Sequence, residues 1–116
     1  MSEYKVLFHI DELNKWKILL ANVSNLLAGM EHDELHIEVV ANGEAVQYYD
    51  LNQELYANKN LMITLHKKGV KFVACNNALK SLGLEKERII PLVEVVPSGV
   101  VEIVKRQSEG FVYIKP

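Results

Sequence analysis

The chain has 116 residues, 49% of them apolar and 24% charged, and a formal net charge of −2. That fits one globular domain over residues 1–116, able to bury a core without disulfide or metal staples. Its scattered lysines and arginines leave no basic footprint for nucleic acid. No apolar run approaches the ~20 residues of a membrane span. The amino terminus lacks the charged-then-apolar order of a signal peptide. A single cysteine excludes an internal disulfide, so the expected setting is soluble, reducing and cytoplasmic.

Residues 4–10 (Tyr-Lys-Val-Leu-Phe-His-Ile) are mostly apolar and rich in β-formers, the pattern of a strand covered on both faces. Asp11 and Glu12 place negative charge where a helix begins. Leu13, Trp16, Leu19, Leu20, Val23, Leu26 and Leu27 then recur at helical spacing, predicting a helix over residues 13–28 that Gly29 closes. Trp16 belongs to a core or a subunit contact. A second strand follows at residues 35–41, ended by Asn42 and Gly43. Residues 44–49 read as a loop entering a short helix. Leu51, Leu55, Leu61, Met62 and Leu65 form a weaker helical stripe that residues 58–60 break, and Gly69 closes it. Tyr48, Tyr49 and Tyr56 either wall a pocket or cover the sheet.

Residues 70–74 are the third strand. It runs through Cys75 directly into a short helix over residues 77–82, with Gly83 after it. Pro91 cannot donate to a ladder, so the fourth strand is expected at residues 92–96. Ser98 is a candidate N-cap for the last helix, with Val100, Val101, Ile103 and Val104 expected to face inward. Gly110 ends that helix, and residues 111–114 form the fifth strand. Strands alternating with helices predict right-handed crossovers and a mostly parallel α/β sheet with helices on both faces.

In such a sheet, ligands bind outside the carboxyl ends of the strands. The first strand delivers His9 there, the second Asn42 and Gly43, the third Cys75, Asn76 and Asn77, and the fourth Ser98. Cys75, placed before a helix N-terminus, is either an activated thiolate or an inert buried thiol. His9 is either its base or hydrogen-bond partner, or a satisfied histidine beside a strand. Asn42 and Gly43 either present N–H groups to an anion or simply turn the chain. Ser98 either binds an anion or caps its helix. One cysteine and four dispersed histidines argue against a zinc site. No GxGxxG, Walker or GxSxG signature is present, so no cofactor is expected.

Several segments in order carry a resemblance. They are Lys-Val-Leu-Phe-His-Ile at 5–10 with Lys15-Trp16 and Ala-Asn-Val at 21–23; Val-Val-Ala-Asn-Gly at 39–43; Gly-Val-Lys-Phe-Val-Ala-Cys-Asn-Asn-Ala-Leu at 69–79; and Val-Val-Pro-Ser-Gly-Val at 95–100, through Glu109-Gly110 to Tyr-Ile-Lys-Pro at 113–116. Over essentially its whole length the chain resembles the small stand-alone branch of the DsrE/DsrF-like proteins. The resemblance implies a three-layer α/β/α sandwich with a five-stranded parallel sheet, and homo-oligomers such as trimers or hexamers. It also implies kinship with sulfur-relay proteins. Cys75 would accept sulfane sulfur as a persulfide from a donor protein and pass it to an acceptor, with Asn76 and Asn77 steadying the anionic sulfur. The alternatives are an oligomeric module that binds a small ligand at the same rim without turnover, and a structural or regulatory oligomer.

Overall fold

The computed structural model describes residues 2–53 and 57–116. Five strands, β1 (Glu3–Ile10), β2 (Glu34–Ala41), β3 (Lys71–Cys75), β4 (Glu94–Val96) and β5 (Val112–Ile114), form one sheet in the order β4-β3-β2-β1-β5. Every pairing is parallel. The connections carry α1 (Trp16–Gly29), α2 (Lys59–Lys67), α3 (Asn76–Ser81) and α4 (Gly99–Ser108), together with 3₁₀ segments at Leu13–Lys15, Gly43–Tyr49 and Lys86–Arg88. This is the expected α/β class. The fifth strand, which the sequence could not place, lies at the edge beside β1, with Tyr113 opposite Leu7. Among the described residues no helix is long and apolar enough to cross a membrane.

One face of the sheet carries the larger core. Val6, Phe8 and Ile10 of β1, Ile37, Val39 and Ala41 of β2, and Phe72 and Ala74 of β3 point into it. The α1 stripe of Trp16, Leu19, Leu20 and Val23 closes on them. Trp16 is fully buried, so it is core. Its ring centre lies 4.5 Å from that of Tyr48 and, edge-on, 5.2 Å from that of Tyr49, and its Nε1–H donates to the Ala45 carbonyl at 2.9 Å. Tyr48 and Tyr49 therefore cover the sheet, and burial pushes the Tyr48 hydroxyl up to about 12. Tyr56 and Leu55 lie outside the described residues. The start of the first helix is held by a distant carboxylate, Glu44, whose Oε2 accepts the Leu13 N–H at 3.2 Å. Asp11 instead pairs with Lys115 at 3.0 Å.

Three expectations need correction. Residues 58–60 do not interrupt a helix but begin one: the Asn58 side chain accepts the Asn60 N–H and caps α2, while Leu51 lies outside that helix and is exposed. The fourth strand is shorter than predicted, Glu94–Val96. In α4, only Ile103 of the four hydrophobic residues faces inward; Val100, Val101 and Val104 are 61%, 50% and 63% exposed. The reason is helical phase. Gly99, Glu102 and Ile103 take the inner face, where Ile103 meets Leu7, Val40, Val73 and Val96. The β-branched residues at 100, 101 and 104 are left on the outside.

Trp16 carries both the aromatic packing and the bond to Ala45. Trp16→Ala is expected to cost about 3–5 kcal/mol of stability, the usual range for emptying a buried aromatic site. Urea unfolding of the two proteins would show this as a lower midpoint.

Candidate functional site

The all-parallel order brings the carboxyl ends of β1, β2, β3 and β4 to one rim. Registry places Ala41 beside Ala74, so the next residues outward, Asn42 and Cys75, are neighbours on the face that α4 covers. The N-terminus of α4 closes over both. A Cβ built on Gly99 would lie 3.1 Å from the Cys75 Cβ and 3.2 Å from the Asn42 Cβ. A side chain there would need these atoms to give by a few tenths of an ångström. Gly43 turns the chain beyond Asn42 with φ of +54°, and any Cβ on it would meet the Asp11 carbonyl at 3.3 Å.

Cys75 occupies the cap position before α3 and is 7% exposed. It forms part of the wall of an open hollow of about 350 Å³, together with Asn42, Gly43, Glu44, Asn77, Ala78, Ser81 and Leu82. Among the described residues no lysine or arginine lines this hollow, whereas Glu44 does. Asn76 faces the other side of α3, in a separate depression with Lys80 and Gly83–Lys86. The Ser98 Oγ accepts the Val101 N–H at 3.5 Å, which makes Ser98 the cap of α4.

His9 does not stand directly beside Cys75. Strand β2 lies between β1 and β3, and two strand spacings separate the residues by roughly 10 Å. His9 instead joins a chain of hydrogen bonds across the sheet. Its Nε2 is 2.9 Å from Asn42 Oδ1, and its Nδ1 is 2.6 Å from the Tyr113 hydroxyl. With the amide oxygen as acceptor, Nε2 donates and Nδ1 accepts the tyrosine proton. The Asn42 carboxamide is thereby oriented by His9 through its oxygen, which leaves its NH₂ group outside that bond. Tyr113 was missed in the sequence. Its signal was alternation: it shares a face with His9 only if the last strand pairs with the first.

The fold and rim define a parallel α/β protein with a lone thiol at the end of its third strand. A family model of the DsrE/DsrF-like family matches residues 13–116; the chain belongs to that family. Among solved structures, a protein of unknown function from Methanobacterium thermoautotrophicum, MTH1491, is 39% identical, with a TM-score of 0.87 over 97% of this chain and 99% of that one. A conserved protein of unknown function from Bacteroides thetaiotaomicron, BT1422, is 16% identical, with a TM-score of 0.74 over 97% and 94%. The ychN protein of E. coli is 13% identical, with a TM-score of 0.73 over the whole of both chains. The last two share the fold. No functionally curated protein matches.

Gly99→Ala tests the closure over Cys75. The atoms in its way, at 3.1 and 3.2 Å, are the Cβ atoms of Cys75, at the end of β3, and Asn42, just beyond β2, and no side-chain rotation moves a Cβ aside. Overpacking is expected to outweigh alanine's better helix propensity and to cost about 1–2 kcal/mol. Urea unfolding measures the loss, and faster alkylation of Cys75 would accompany it.

Proposed function

We propose that the protein is a sulfur-relay carrier in which Cys75 holds sulfane sulfur as a persulfide. The observation that carries this reading is the placement of the lone thiol on the wall of the hollow at the strand-end rim, in a member of the DsrE/DsrF-like family. In the loading step the Cys75 thiolate attacks the outer sulfur of a donor persulfide, R–S–SH. The donor S–S bond breaks, its electron pair leaves on R–S⁻, and Cys75–S–SH is formed. In delivery, an acceptor thiolate attacks that outer sulfur and Cys75 leaves as thiolate. Each step is an exchange at divalent sulfur with no net oxidation. No second cysteine is present to collapse the persulfide into an internal disulfide. A reducing cytoplasm suits this chemistry.

The lining of the hollow narrows the donor. An acidic residue, Glu44, in the lining, with no lysine or arginine there among the described residues, disfavours a dianion such as thiosulfate and favours a persulfide of low charge. The Asn42 NH₂ group, oriented through His9 and Tyr113, and Asn77 on the same wall are the donors available to the terminal sulfur. Intact-mass measurement after incubation with a low-molecular-weight persulfide should show one added sulfur on the wild type and none on Cys75→Ser. Thiosulfate should load far less. If Cys75 gains no sulfur from a persulfide, the carrier reading is wrong.

The partners in this reading are a second copy of the chain and the proteins that donate and accept sulfur. The outer face of α4 supports self-association: Val100, Val101 and Val104 are exposed there, and Tyr113 at the sheet edge is 38% exposed. Such a patch on a small domain marks an interaction surface. Replacing both Val101 and Val104 with Glu should reduce the mass in solution toward that of one chain, as read by light scattering after size exclusion. An unchanged mass would reject this face as the subunit contact.

A further inference from the structure

The α4–sheet interface contains a feature that the thiol chemistry does not use. Glu38, on β2, is 3% exposed, and Glu102, one turn after Gly99 on α4, is 9% exposed. Glu102 is the residue whose side chain, after burial, acts most on the Glu38 carboxyl. Two ionised carboxylates buried at one interface repel, and protonation of one relieves that repulsion and lets it donate to the other. The Glu38 Oε2 is buried with no hydrogen-bond partner among the described residues.

The surrounding charges do not replace that proton. Lys71 of β3 lies 3.8 Å from Glu38 Oε1 but is closer, at 3.0 Å, to Glu94 of β4. Arg106 of α4 pairs with Glu109 at 3.0 Å through Nη1, while its Nε, 3.5 Å from Glu102 Oε2, makes no hydrogen bond. On β2 itself, His36 is held at 2.8 Å by Glu3 and at 3.4 Å by Glu34. Lys5 of β1 is directed to the Glu109 carbonyl at 3.4 Å. Tyr49, across the sheet, donates its hydroxyl to the Val73 carbonyl. Both cations nearest the pair are thus already engaged by exposed carboxylates.

We propose that Glu38 and Glu102 share one proton that clamps α4 to the sheet, and that losing this proton releases the N-terminal turn of α4 and bares the Cys75 thiol. The geometry links the two events. Glu102 and Gly99 are three residues apart on one helix, and Gly99 is the residue that rests on the Cys75 and Asn42 Cβ atoms.

Burial, then the bond and charge of Glu102, push the Glu38 carboxyl up from 4.5 to about 8, against the opposing pull of Lys71 and Arg106. The sign follows. The docked helix binds the proton more tightly than the released one, in which Glu38 meets water. Docking is therefore strongest at low pH and weakens as pH rises from 4.5 toward 8. The thiol opens on the alkaline side of neutrality.

Hydrogen exchange of the full chain at pH 6 and pH 9, corrected for the intrinsic pH dependence of amide exchange, reads the clamp. The segment at residues 99–108 should lose about tenfold or more of its protection between the two, while α1 keeps its own. In Glu102→Gln the amide can donate to the Glu38 carboxylate without a proton, so protection at 99–108 should stay level. At pH 9 its Cys75 should alkylate with iodoacetamide about tenfold more slowly than the wild type does. Glu38→Gln should behave alike, and Glu102→Gln decides the matter if that variant fails to fold. Unchanged protection at 99–108 in the wild type, an equal loss in α1, or a wild-type pH response in Glu102→Gln would each overturn the proposal. Alkylation involves no sulfane sulfur, so this outcome is separate from that of the carrier reading.

Discussion

Everything in this molecule depends on the strands being parallel. A parallel strand cannot turn back on itself, so each must be followed by a crossover that covers a face of the sheet. That requirement buries both faces of β1, β2 and β3 and makes their sequences nearly continuous apolar runs. It also sends every strand end that precedes a crossover to the same rim. Asn42, Cys75 and the turn before α4 meet there because each follows a strand of one direction, and registry sets Asn42 beside Cys75.

The two faces are covered unequally. On one side α1, α2 and the Gly43–Tyr49 segment enclose a core built around Trp16. On the other, a single helix of ten residues does the covering, with a small apolar cluster beneath it. That helix is held by one isoleucine, by the glycine that approaches the rim, and by a pair of acidic side chains. An apolar contact is indifferent to pH, whereas a shared proton is not. The weaker cover therefore lies over the thiol, and the stronger one over the aromatic core.

Much of the architecture was legible in the chain. The helical stripe from Leu13 to Val23, the buried strands and the N-cap at Ser98 follow from periodicity and capping chemistry, which are local. The rim was legible as well, because strand ends in a parallel sheet must converge. The errors arose where local pattern is ambiguous. In α4 the valines at 100, 101 and 104 and the isoleucine at 103 offer competing apolar faces, and only contact with the sheet selected the one with Gly99 and Glu102. The asparagines at 58 and 60 read equally as a break or a beginning.

By itself the sequence determined the class of fold, the direction of the strands and the identity of the thiol at the end of the third one, since these rest on spacing and residue type along the chain. Only the tertiary structure decided which side chains surround that thiol. Tyr113 joined His9, 104 residues away in sequence, because β5 pairs with β1. Glu38 met Glu102 because α4 lies across β2. Such juxtapositions are products of strand order and helix phase, to which the residues between contribute no local signal. The close approach of Gly99 to Cys75 has the same origin: the glycine can be read anywhere in the chain, but what it rests on cannot.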